Sequence, residues 1–153
     1  MELNTQDLKQ AGEVVQLFVS INKEILKFTK QNAASIGLTM QQMGILNMIC
    51  AKPEITLKAV SEQLNIPKST VSVSIDGLVN LGFIEREQSQ EDRREVKLKA
   101  TMKGKEISQK SIQNSSSYKA MAAVLKEFSE EDIRTLLSLN NTLLTSLHQV
   151  SFK

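Results

Sequence analysis

Few residues in this chain have the type and spacing for covalent or metal chemistry. Cys50 and His148 are each the only one of their kind. A metal site needs several ligands at defined spacing, so no metal is expected. Cys50 falls seven residues after Met43 on the apolar side of a helical pattern, where a thiol packs and stays inert. No Gly-rich phosphate loop and no nucleophile elbow occurs. Glu130-Glu131 fall in a helix first turn, where the macrodipole accounts for them. No catalytic residue and no cofactor follow from these patterns, so an enzyme is not expected. The chemistry that remains is non-covalent and sits in two clusters. In "NIPKSTVSVSIDGLVNLGFIERE", Lys68, Ser69, Thr70 and Ser72 supply a cation and short hydroxyls beside Val73. In "QSQEDRRE", Arg93 and Arg94 stand among Glu91, Asp92 and Glu95. Such groups bind anions and hydrogen-bonding edges when a scaffold presents them together.

The elements that must position them are legible from periodicity. From Asp7 to about Ala34, Val14, Phe18, Ile21, Ile25 and Phe28 recur at helical steps, with Lys23, Lys27 and Lys30 off that stripe. Gly37 ends this helix. Thr39-Met40-Gln41-Gln42 is a capping box that opens a helix with Met43, Leu46 and Cys50 on one face, stopping before Pro53. Thr56 caps a short helix with Val60 and Leu64 inward, closing around Asn65-Ile66-Pro67. Pro67 suits a first helical position. Beyond it, Val71, Ile75, Leu78 and Val79 share one arc at ~100° per residue, whereas a strand would mix polar and apolar residues on both faces. The stretch is therefore a helix ending near Gly82, and its serines each cost a few tenths of a kcal/mol in propensity. Val73 lies almost opposite the arc, beside Ser69, Thr70 and Gly77.

After Gly82 the period becomes two. Phe83–Glu87 reads as one strand and Val96–Ala100 as its partner, with Lys97 and Lys99 on the solvated face and a long polar loop between. Thr101 caps a long helix to about Phe128, weakened by "NSSSY". Ser129–Asp132 caps a last helix carrying Ile133, Leu136, Leu137, Asn140, Leu143, Leu144 and Leu147. Short helix, turn, helix and hairpin in that order form a winged helix-turn-helix. The expected fold is mainly α with a small β-hairpin wing, the lobe flanked by N- and C-terminal helices.

Composition agrees with a folded domain. Of 153 residues 41% are hydrophobic and 4% aromatic, with no Trp, so the core rests on Leu, Ile, Val and Met. A net charge of +2 tolerates an anionic partner without requiring one. No apolar run approaches the ~20 residues of a membrane span, and "MELNTQDLKQ" lacks a secretory pattern. A single cysteine suits a reducing compartment. A cytoplasmic protein without a membrane partner is expected.

Several segments resemble the MarR family of bacterial transcription regulators: "LTMQQMGIL", "KAVSEQLNIPKSTVSVSIDGLVNLGFIERE" and "EDRREVKLKATMKG". The strongest pieces are Lys68-Ser69-Thr70-Val71, Asp76-x-Leu78, Leu81-Gly82-Phe83-Ile84-x-Arg86, Asp92-x-Arg94 and Thr101-x-Lys103-Gly104. The resemblance implies a homodimer on double-stranded operator DNA. Residues 1–37 would form an N-terminal dimerisation helix, 38–100 the DNA-binding lobe and 101–153 the C-terminal dimerisation helices. It also implies repression, and release by a small-molecule effector or by cysteine oxidation. The sensing cysteine of such relatives lies in the first helix, where this chain has none.

On that resemblance, Lys68, Ser69, Thr70, Ser72 and Val73 are DNA-binding candidates on the helix that enters the major groove. The free N–H groups of its first turn favour phosphate. Helix-start chemistry alone is the competing account of Ser69 and Thr70. Arg93 and Arg94 are candidates for the minor groove, whose negative potential draws arginine. Asp92 would fix Arg94 in orientation, and Arg86 at the wing base is a further candidate. An ordinary charged loop is the alternative for the wing. Relatives commonly carry arginine at the place of Val73, so this valine departs from the pattern and offers methyl groups instead. Met40, Met43 and Met48 are candidates for an effector pocket, against plain core packing. The rival function is a winged-helix protein-interaction module without specific DNA binding, which the modest charge leaves open.

Overall fold

The computed structural model describes residues 4–151. Among them are seven helices and one two-stranded antiparallel hairpin, the mainly α architecture with a β-hairpin expected from the sequence. They fall into two compact units, the first ending at Ser117 and the second starting at Tyr118.

The first unit opens with α1 (Thr5–Ser35), started by an Asn4/Asp7 capping box. It ends where Gly37 turns with φ +75°, its N–H donating to Ala34 O while Leu38 N–H reaches Ala33 O. That pair of bonds is a Schellman closure, which needs the positive φ that glycine supplies. Helix α2 (Met40–Ala51) starts on the Thr39/Gln42 capping box and buries Met43, Ile45, Leu46 and Ile49. Helix α3 (Leu57–Leu64) is capped by Thr56 and buries Val60. Its end at Asn65 is left-handed, φ 51°, and Ser61 Oγ donates to Ile66 O at 2.6 Å across the turn. This turn delivers the chain into α4 (Lys68–Asn80), which buries Val71, Ser74, Ile75 and Leu78. Pro67 is its N-cap, one position before the helical start anticipated for it.

Gly82, with φ +76°, ends α4 in a second Schellman closure, with Gly82 N–H on Val79 O and Phe83 N–H on Leu78 O. Strand β1 (Ile84–Gln88) pairs with β2 (Val96–Ala100), Ile84 opposite Ala100 and Arg86 opposite Leu98. The first strand thus runs one residue later than the periodicity placed it. Leu98 N–H donates to Ile55 O at 2.9 Å, so the segment before α3 covers the outer edge of β2. The core is one cluster in which Ile45, Leu46, Val60, Val71, Ile75, Leu78 and Leu98 are wholly buried. Each such side chain contributes about 1.5–3 kcal/mol of apolar burial.

Helix α5 (Met102–Gln113) starts on the Thr101 cap. The single long helix expected from Thr101 to Phe128 is instead broken at Asn114, and α6 (Ser116–Leu125) follows. The serines explain the break. Short hydroxyls offer the backbone competing partners and lower helix propensity, and here Ser115 and Ser117 bond each other at 3.2 Å. In the second unit, α7 (Glu130–Gln149) starts on the Ser129/Asp132 capping box, and His148 stands in its last turn. No described residue of α6 or α7 is buried. Among the described residues, no helix is long and apolar enough to cross a membrane.

Candidate nucleic-acid interface

The N-terminal half of α4 presents the first cluster. Lys68, Ser69 and Thr70 are exposed, and Val73, 70% exposed, lies beside Ser69 and Thr70. Ser72 is half-buried and Ser74 is buried. The serines therefore divide by role. Ser69 faces out, whereas Ser74 Oγ donates to Gln41 Oε1 at 2.6 Å and ties α4 to the start of α2. Gly77 does not share the open face with Val73. A Cβ there would lie 2.5 Å from Gln42 Nε2, so this glycine accommodates the amide of the α2 capping box.

Helices α1, α2, α3, α5 and α7 begin under side-chain caps, but α4 has no side-chain cap hydrogen bond. Pro67 has no polar side chain to supply one. Ser69 and Thr70 follow it in the first turn and are not themselves the cap. The first turn of α4 thus carries uncapped N–H groups beside the exposed Lys68, an arrangement suited to an anion.

The wing tip holds its own shape through hydrogen bonds. Ser89, almost wholly buried, donates its N–H to Glu95 O at 3.0 Å and accepts at Oγ from Asp92 N–H at 3.3 Å. Gln88 Nε2 donates to Arg93 O at 2.7 Å. Asp92 Oδ1 accepts from the backbone N–H of Arg94 at 2.9 Å. Asp92 thus shapes the turn that presents Arg94, and it does so through the backbone N–H of that residue. Arg93 and Arg94 are exposed at this preformed tip.

Arg86 has a different environment from the other candidates. It shares the inner face of β1 with Ile84 and turns toward α4. Its Nη2 donates to the Asp76 carboxylate and to Ser72 O, the latter at 3.4 Å. The sequence reading missed Asp76 as its partner. The signal was available in the strand period, since Ile84 and Arg86 are two residues apart and must share a face.

The methionines suggested for an effector do not share one environment. Met43 is in the core and receives Asn32 Nδ2 at 3.7 Å from its sulfur, Met48 packs at the core's edge, and Met40 is exposed at the start of α2. Cys50 is half-buried against the same core. Among the described residues, no group of three or more His, Cys, Asp or Glu comes together as metal ligands.

Comparison with known proteins agrees with this geometry. Residues 36–95, the span from the end of α1 to the wing, match the MarR family. The crystal structure of a multiple antibiotic-resistance repressor from Listeria monocytogenes is 33% identical, with 96% of this chain and 99% of that one covered and a TM-score of 0.69. The Streptococcus pneumoniae protein FabT, solved in complex with DNA, is 26% identical over 92% of this chain and 99% of its own, with a TM-score of 0.76. The organic hydroperoxide resistance transcriptional regulator of Bacillus subtilis is 26% identical over 97% of this chain and 99% of its length. With a near-full-length relative at 33% identity and the same winged lobe, the chain belongs to the MarR family of transcription regulators.

Proposed function

We propose that this protein is a homodimeric, sequence-specific DNA-binding regulator that represses transcription by occupying an inverted-repeat operator in the cytoplasm. The observation that carries this reading is the uncapped start of α4, with Lys68, Ser69, Thr70 and Val73 all exposed and a preformed arginine-tipped wing directly behind it. A major groove admits one such helix and is read from its N-terminal half, while a narrow minor groove attracts arginine. In this reading Lys68, Ser69 and Thr70 hold phosphates and base edges, Val73 faces the bases, and Arg93 and Arg94 enter the minor groove. The likeness to FabT, which was solved on DNA, favours it over a protein-interaction module.

A dimer is favoured by apolar surface that the single chain leaves in water. In α1, Val14, Phe18, Ile21 and Phe28 are each more than a third exposed; in α7, Leu143, Leu144 and Leu147 are too. Patches of this kind mark association surfaces. Two recognition helices related by a two-fold axis would sit about 34 Å apart, one DNA turn. Selection of bound duplexes from random DNA, followed by footprinting, tests the reading. The expected result is an inverted repeat bound with an affinity that falls steeply with salt. Salt-insensitive binding without sequence preference would reject it.

A further inference from the structure

We infer that Arg86 is a positioning residue which locks the wing to the recognition helix through Asp76, rather than a DNA contact. The inference rests on the reading of α4 and the wing as the DNA-binding surface.

A two-stranded hairpin is marginal in isolation and needs an anchor to hold one direction. Here Ile84, Leu98 and Ala100 anchor its base in the core. Arg86 lies two residues farther out on the same face of β1, between that anchor and the arginine tip. From there its guanidinium spans to α4, where the Asp76 carboxylate and the Ser72 carbonyl stand one helical turn apart. One nitrogen serves both acceptors, so the hairpin's angle is tied to the helix that carries the base-reading face.

Asp76 supports the same conclusion. It is exposed and falls in helical register with Ser69 and Val73, on the side of α4 offered to DNA. An unpaired carboxylate there would repel phosphate. Paired with Arg86, it is neutralised, and neither charge is left to displace counterions from DNA. The pair is also too exposed for its worth to lie in stability, with side chains 35% and 57% accessible. Its consequence is geometric: it sets where Arg93 and Arg94 arrive once α4 is seated in the groove.

The two roles for Arg86 predict opposite signs at Asp76. If Arg86 bonded phosphate, Asp76→Asn would remove a repulsive charge, release the arginine and tighten binding. If Arg86 positions the wing, the same substitution loosens the wing and weakens binding. The experiment measures affinity across a salt series for the duplex that the wild-type protein selects from random DNA, with wild type, Arg86→Gln, Asp76→Asn, the double variant and Arg86→Lys. Both single variants should lose about fivefold or more in affinity. The double variant should be no weaker than the weaker single one. The double variant, which removes both charges of the pair, should keep the wild-type salt slope, and Arg86→Lys, which retains the charge pair, should recover most of the loss. Tighter binding by Asp76→Asn, additive losses, no recovery by lysine, unchanged affinity in both single variants, or a salt slope for the double variant shallower by about 0.9 would each overturn the inference. Failure of the wild type itself to select a duplex would overturn the DNA-binding reading, a result distinct from any of these.

Discussion

At the scale of single residues, two side chains carry opposite kinds of information. Val73 is the most exposed apolar side chain on α4 and stands where the base edges would pass. Its methyl groups can pack on thymine methyls but cannot donate to guanine O6 or N7, the commonest specific contact. Val73→Arg restores a bidentate donor, so duplexes selected by this variant should gain G at the facing position, with discrimination of about 1–3 kcal/mol for that base pair. An unchanged selected motif would show that α4 meets the groove at another angle. Arg94 is expected to act on the backbone and the groove potential instead. Arg94→Ala should weaken binding across sequences and make the salt slope shallower by about one. A variant with wild-type affinity and slope would remove Arg94 from the interface.

At the scale of elements, the joint between wing and α5 is built on one close approach. A Cβ on Gly104 would lie 2.0 Å from Phe83 O, a backbone atom that cannot step aside. The same corner is closed by Thr101 Oγ1 donating to Gly82 O at 2.6 Å and by Thr101 N–H donating to Phe83 O at 3.0 Å. Lys103 Nζ rests 5.5 Å from the centre of the Phe83 ring. Gly104→Ala should therefore destabilise the first unit by about 1–3 kcal/mol, as overpacking does, and thermal unfolding followed by circular dichroism would measure it. A melting temperature equal to wild type would mean that α5 can shift away from β1. This joint also marks where the sequence stopped being informative. Caps at Thr39, Thr56, Thr101 and Ser129, and the glycine stops at Gly37 and Gly82, are local chemistry and were legible in short windows. The period-two strands and the arc of Val71, Ile75 and Leu78 were legible for the same reason. Contacts between distant segments were not. Nothing near Ser74 announces Gln41, thirty-three residues away, and nothing near Gly104 announces the Phe83 carbonyl. The break at Asn114 was half-legible, because the serine run signalled weakness without saying that the helix would stop.

At the scale of the whole molecule, the issue is how the apolar faces left in water are covered. Leu144 of α7 is 55% exposed, and Leu143 and Leu147 flank it with 42% and 66%. No residue of α7 is buried, so its stripe contributes little to the chain on its own. Such helices gain most of their stability from packing against another surface, and a second copy of the same chain provides one by symmetry. Leu144→Glu puts a charge into that stripe at a position already open to solvent in the single chain. The lone subunit should accept it without unfolding, while a dimer would have to bury an unpaired carboxylate. Sedimentation equilibrium should then show the mass halved, with the helical circular dichroism of the winged lobe retained. Operator affinity should fall on the order of a hundredfold, because the second half-site is no longer delivered at high effective concentration. An undiminished dimer would exclude α7 from the subunit contact and shift it to the Phe18 and Ile21 stripe of α1, where Phe18→Glu makes the same test. A monomer that still held the full inverted repeat with wild-type affinity would separate DNA recognition from dimerisation altogether.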